Sequence, residues 1–183
     1  MDKELPEVVS SEEVYAGRIF RVTRDTVREG GQTYVREVVG HPGGAAVVPL
    51  FEDGTVAFVS QYRHPTGRYV LELPAGKLDP GESPAATAAR ELEEELGVVA
   101  GRLEPLSEFY TTPGFCAERL WVFLATDLRE TASRLEADEI IEVVRLPLAR
   151  ALSLVASGEI DDAKTIIGLT LAARRLGVER SDG

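Results

Sequence analysis

The stretch from Ser83 to Gly97 leaves the backbone little choice, and the structure it favours concentrates charge. Ser83 is a strong N-cap, Pro84 follows where a missing N–H costs nothing, and Gly97 stands just past the last turn, so a helix is expected between them. At ~100° per residue, Glu91, Glu94 and Glu95 fall at i, i+3 and i+4 and share one arc. Ala85, Ala88, Ala89, Leu92 and Leu96 are expected on the neighbouring face, with small residues where the helix meets a sheet. Like charges at these spacings cost roughly a few tenths of a kcal/mol per pair, and Arg90, four residues before Glu94, offsets only part of that. A glutamate-rich helix face is ordinarily a solvated surface. The alternative is a hard divalent cation, which binds through a few carboxylates together with substrate phosphates. The turn Asp79-Pro80-Gly81 would carry Glu82 back toward the same arc.

Composition narrows what such a charged helix can serve. At 183 residues the chain is expected to form one compact domain, or one domain with a modest extension. Hydrophobic residues at 44% and charged residues at 28% suit a buried core and argue against a disordered or fibrous chain. The formal charge of −11 disfavours nucleic acid and anionic lipid as partners. The single Cys116 cannot form an internal disulfide, and His41 and His64 are too few for a Cys/His zinc cage, so any metal must be held by oxygen. Met1–Ser10 is acidic, with no basic stretch leading into an apolar core, and no apolar run approaches the ~20 residues of a membrane span. A soluble, cytoplasmic protein is expected.

Around the helix the chain reads mainly as strands. Residues 1–12 are expected to be a loosely held start. Gly17–Val27 and Gln32–Val39 alternate β-branched or aromatic residues with polar ones across Gly30-Gly31, the pattern of a two-stranded ribbon. Ala45–Phe51 and Val56–Tyr62, around Asp53-Gly54, suggest a second, buried hairpin. Further strands are expected at Tyr69–Leu73, Leu106–Tyr110, Leu120–Ala125 and Ile140–Leu146, and further helices at Leu148–Ser157 and about Asp162–Leu176. Strands and helices in this irregular order suggest a sheet sandwiched between helices.

The spacing is more specific than its charges alone. Gly76, five residues, Glu82, seven residues, Arg90-Glu91-Leu92, one residue, Glu94-Glu95, one residue and Gly97-Val98 match the Nudix box at every position. The chain therefore resembles the Nudix hydrolases, pyrophosphatases of nucleoside diphosphates linked to another moiety. Pro113, fifteen residues after Val98, resembles the proline that marks ADP-ribose pyrophosphatases within the family. Glu72-Leu73-Pro74-Ala75-Gly76, Gln61-Tyr62-Arg63 and Asp161-Asp162-Ala163-Lys164-Thr165 resemble the same subfamily, so the likeness covers most of residues 15–176.

That resemblance implies an α/β class, a Nudix α/β/α sandwich with a mixed sheet between helices, preceded by an N-terminal antiparallel β ribbon. It implies a ribbon in residues 1–42, exchanged between two subunits of a homodimer, and a catalytic domain in 43–183. Two or more Mg²⁺ or Mn²⁺ ions would be held by Glu91, Glu94 and Glu95, with Glu82 supporting or joining them and the Ala75 carbonyl as a further ligand. Arg90 would orient a glutamate through an ion pair. Glu139 would be the general base and at times a metal ligand, with Glu136 and Asp138 as alternatives. Arg63 would contact phosphate or the terminal ribose, Phe20 would stack on adenine, and Arg36 with Glu37 would reach the nucleoside of the other subunit; Glu72 and Pro113 belong with these substrate contacts. The implied reaction splits ADP-ribose into AMP and ribose 5-phosphate. Another nucleotide sugar or a dinucleotide as substrate, or a nucleotide-sensing module without turnover, stand as alternatives.

Overall fold

The computed structural model describes residues 4–132 and 140–178 and divides into two compact units. One runs to Gly43 and includes Tyr110–Arg119; the other comprises Gly44–Phe109 and the chain from Leu120 onward.

The first unit holds an antiparallel sheet of β1 (Glu7–Ala16), β2 (Arg21–Glu29) and β3 (Gln32–Gly40) in that order. The ribbon thus has three strands, and the start expected to be loose is one of them. Its acidic composition conceals this, because the carboxylates are cross-strand partners: Glu7 pairs with Arg28 at 3.0 Å, Asp25 accepts from Ser11 at 2.6 Å, and Glu12 lies 3.9 Å from Arg24. Gly30 and Gly31 make the expected turn between β2 and β3, both at positive φ (55° and 82°), where residues with a Cβ are strained. Val39 bonds Phe115 and Ala117 through its N–H and carbonyl, tying Tyr110–Arg119 to β3.

The second unit contains two sheets. β4 (Gly44–Pro49), β7 (Ala75–Lys77), β8 (Val98–Tyr110) and β9 (Arg119–Glu130) form one in the order β7-β4-β9-β8, while β5 (Thr55–Arg63), β6 (Arg68–Glu72) and β10 (Ile141–Pro147) form the other in the order β10-β5-β6. The expected β4–β5 hairpin is therefore corrected. The turn at Asp53-Gly54 exists, but beyond a single Leu50–Val56 bridge the strands part into different sheets. β4 is buried on both faces and takes β7 antiparallel on one edge and β9 parallel on the other, which leaves β5 no edge to join.

The three helices fall close to expectation: α1 at Pro84–Leu96, α2 at Leu148–Ser157 and α3 at Ala163–Leu176. Alternate residues of β4 face opposite cores. Ala46 and Val48 join Phe58, Leu73, Leu154 and Leu169 beside α2 and α3, whereas Ala45 and Val47 join Ala88, Leu92 and Phe123 beside α1. This is the sheet between helices anticipated from element order. Among the described residues no helix is long and apolar enough to cross a membrane.

One face of α1 differs from expectation. Ala88 and Leu92 are fully buried, but Ala85 and Ala89 are exposed, and Thr87, Glu91 and Glu95 are buried in their place. The packing arc is centred between the 88-92 and 87-91-95 rows, so two glutamates turn inward. Such burial is tolerable only with polar partners at hand.

Candidate active site

Those partners come from the turn between β6 and β7 and from α1 itself. β7 pairs with β4 through Ala45–Gly76 and Ala46–Ala75, while the Pro74 carbonyl accepts from Val47 N–H at 3.0 Å. The turn is thereby laid along α1. Ala75 N–H donates to Glu95 Oε2 at 3.3 Å. A Cβ built on Gly76 would stand 1.7 Å from Glu91 Oε1, so the carboxylate occupies the space that any side chain at 76 would need. Glu91 and Glu95, 6% and 4% exposed, thus lie against the backbone of Ala75 and Gly76.

Arg90 binds more than the one glutamate its spacing suggested. Its Nε and Nη2 fork Glu82 at 3.1 and 3.2 Å, its Nη1 donates to Glu91 at 2.7 Å and Glu94 at 2.8 Å, and Nη2 also reaches the Lys77 carbonyl at 3.3 Å. Helix repulsion is offset far more fully than the i, i+4 pair alone allows. Glu82 is further held by Thr87 Oγ1 at 2.8 Å and Asp79 N–H at 3.3 Å, so the turn does return it to α1. Arg90's bonds, then Thr87's against some desolvation, hold the Glu82 carboxyl down at about 2. Arg90 itself is driven well above its ordinary value by the same fork.

A carboxyl depressed in the folded state stabilises it above the unfolded value of 4.5 and loses that contribution as pH falls toward 2. Thermal melts between pH 5 and 2 should therefore show a fall in Tm that is shallower in Glu82→Gln; identical slopes would remove Glu82 from the acid response.

The donor set suits a hard cation in kind: carboxylate oxygens of Glu91 and Glu95 gathered at one turn where a glycine makes room. Among the described residues no three Asp, Glu, His or Cys side chains already converge as a metal cage. The guanidinium of Arg90 is what Glu82, Glu91 and Glu94 gather around.

A second charged group lies beside the first. Arg63, at the end of β5, forks Glu72 on β6 at 2.6 and 3.0 Å; Lys164 ion-pairs with the same carboxylate and with Asp162 at 3.1 Å. Glu72 is 2% exposed, yet Arg63 and Lys164 outweigh the desolvation that would raise its carboxyl and bring it below its ordinary value. Arg63 and Glu72 open on a cavity of about 330 Å³ that Arg68, Asp161 and Lys164 also line. Asp162 caps α3 and accepts from Thr165 Oγ1 at 2.6 Å, and Thr165 Oγ1 accepts from Leu73 N–H at 2.8 Å.

In the first unit, Arg36, Glu37 and Pro113 share a cavity of about 400 Å³ with Tyr110 and Phe115. Phe20 is not among them. It lines a different cavity with Ile19 and His41, is 40% exposed, and stacks against Tyr15 at 5.5 Å. Arg36 lies over the Tyr34 ring, 4.1 Å from its centre, and Glu37 accepts from Arg24 at 3.4 Å. Glu136, Asp138 and Glu139 lie outside the described residues.

Sequence reasoning assigned no role to Thr87, Lys164 or Thr165. Thr87 occupies a free position of the box, and residues 161–165 carry a resemblance to the subfamily and the start of a helix but no role for either side chain.

Comparison with known proteins identifies the family. The chain is 42% identical over 160 residues to an ADP-ribose pyrophosphatase of Bacillus subtilis, covering 86% of each, and 44% identical over 169 residues to one of Mycobacterium tuberculosis, covering 89% of this chain and 81% of the relative. A solved structure described as an ADP compounds hydrolase superposes with a TM-score of 0.86 at 26% identity over 97% of both chains. The NUDIX domain model matches residues 40–167, a span that takes in Gly76, Glu82, Arg90 and the buried carboxylates of α1, and the chain belongs to the Nudix family.

Proposed function

We propose that the chain hydrolyses the pyrophosphate bond of ADP-ribose to AMP and ribose 5-phosphate with bound Mg²⁺ or Mn²⁺. The observation that carries this is the packing of Glu91 and Glu95 against the Ala75-Gly76 turn, on a chain 42% and 44% identical to two ADP-ribose pyrophosphatases over most of its length. Glu91, Glu94, Glu95 and the Ala75 carbonyl would hold the ions, with Glu82 supporting them. When bound, the cations would neutralise charge on the phosphoryl oxygens and acidify water. The protein's own contribution is fixed geometry: Arg90 holds three carboxylates at set positions before substrate arrives. Arg63, steadied by Glu72, offers a cationic fork for a phosphate or ribose. Water attacks one phosphorus, the bridging P–O bond breaks, and the departing phosphate keeps the electron pair. Glu139, with Glu136 and Asp138 as alternatives, is the carboxylate we assign to receive the proton of that water.

The test is a panel of ADP-ribose, GDP-mannose and diadenosine polyphosphates with Mg²⁺. The highest kcat/KM is expected on ADP-ribose, with AMP and ribose 5-phosphate as products; a negligible rate there beside a high rate on another compound overturns the assignment.

The reading includes a homodimer that exchanges the N-terminal ribbon and brings Arg36 and Glu37 of one subunit to the other's nucleoside. Its support is the exposure of Val8, Val9, Val14, Tyr15, Ile19 and Val35, an unusual amount of apolar surface for a three-stranded sheet. Sedimentation should give twice the 19.9 kDa chain mass, and a monomer at micromolar concentration would refute the exchange.

A further inference from the structure

We propose that the first turn of α3 is a positioning clamp for the site, in which Lys164 and Thr165 set the substrate side and the metal side separately. This rests on the reading of Arg63 as a substrate contact and of Ala75, Glu91 and Glu95 as metal ligands.

Two consecutive residues of α3 hold Glu72, the last residue of β6, and Leu73, which follows it. Lys164 pairs with Glu72, whose carboxylate forks Arg63. Thr165, fully buried, accepts from Leu73 N–H at 2.8 Å and donates to the N-cap Asp162 at 2.6 Å, so its hydroxyl direction is fixed. Leu73 leads directly into Pro74 and Ala75, whose carbonyl and N–H bind Val47 and Glu95. The helix is also seated closely here. A Cβ on Gly168 would stand 2.7 Å from Leu73 Cδ1 and 3.1 Å from Val48 Cγ2, so α3 approaches this segment as no side chain at 168 would permit.

The two branches share Asp162 at their root, 3.1 Å from Lys164 Nζ and 2.6 Å from Thr165 Oγ1, and lead from there to different groups. Through Glu72, Lys164 fixes the direction of Arg63. Through Leu73, Thr165 fixes the turn against which Glu91 and Glu95 pack. Lys164 reaches the site through Glu72 and Thr165 through Leu73, so each acts through the residue it holds.

The experiment uses the full chain and the variants Thr165→Val, Thr165→Ser and Lys164→Met. Without metal, the Leu73 amide should exchange about tenfold faster or more in Thr165→Val and close to wild type in Thr165→Ser, since only valine removes its acceptor. Mn²⁺ affinity or kcat should fall about 10–100-fold in Thr165→Val, with KM little changed, the range found for residues that orient ligands from behind. Lys164→Met should show the opposite split, a raised KM with Mn²⁺ affinity retained. Serine failing to restore what valine loses, or the two positions giving the same split, overturns the proposal. So does faster Leu73 exchange with undiminished metal affinity and turnover. If Thr165→Val does not fold, Gly168→Ala, which pushes α3 from Leu73, takes its place with the same expected loss. A wild type inactive on ADP-ribose but active on another compound would refute the assigned substrate alone, and the split is then read on that compound. If no compound is turned over, exchange and Mn²⁺ affinity decide between clamp and no clamp.

Discussion

Glu91→Gln is expected to lower kcat about a hundredfold to a thousandfold, the range for deleting one preorganised electrostatic group from an active site. Stability without metal should barely move. The substitution relieves repulsion from Glu94 and Glu95 but weakens the 2.7 Å bond from Arg90, and each is worth roughly half a kcal/mol. Gly76→Ala should reach the same result by another route. The new methyl would claim the position of Glu91 Oε1, and because that atom ends a flexible side chain the carboxylate can swing aside without unfolding the protein. A folded, metal-poor and slow Gly76→Ala enzyme would thus separate the place of the carboxylate from its charge. Steady-state kinetics with Mn²⁺ titration and melting curves on both variants make the check. Wild-type turnover in both would remove Glu91 from the ligand set.

Arg90→Met is expected to be the most destabilising single change among the charged residues of α1. It leaves Glu82, Glu91 and Glu94 facing one another without their common cation, all three largely or partly shielded from water. Breaking a buried pair costs about 3–5 kcal/mol, and the partial exposure of Arg90 reduces this to about 2–3 kcal/mol. Added Mg²⁺ should recover part of the lost Tm, because a divalent ion can take over the neutralisation. Arg90→Lys should fall between, since an ammonium cannot fork Glu82 while also reaching Glu91 and Glu94. Unaltered Tm in Arg90→Met would show that water and counterions already screen the cluster.

These two results bear on what local sequence discloses. The limits of α1, the Gly30-Gly31 turn and α2 were legible because caps, glycines and periodicity act over a few residues. The box disclosed Glu82, Arg90 and the α1 carboxylates as a group for the same reason. What escaped depends on distant partners. β1 looked like an acidic tail until Arg24 and Arg28 are set beside it, and β4 looked like half a hairpin until β9 arrives at its other edge. Nothing within α1 reveals that Glu91 and Glu95 are buried while Ala85 and Ala89 are not, because the orientation is decided by what lies opposite. Thr165 was the least legible, its partner Leu73 being 92 residues away.

The parallel pairing of β4 with β9 also governs when the molecule can exist. Gly44 meets Leu120 and Pro49 meets Ala125, so an apolar strand made early has no neighbour on that edge until 76 further residues have been added. At about 5–20 residues per second, a ribosome leaves that edge uncovered for roughly 4–15 s. Helix α3, which covers the other core, comes later still. A nascent chain stalled before residue 120 would have only the three residues of β7 to pair with β4 and its other edge bare, which is the state that chaperones bind and that aggregates when they do not.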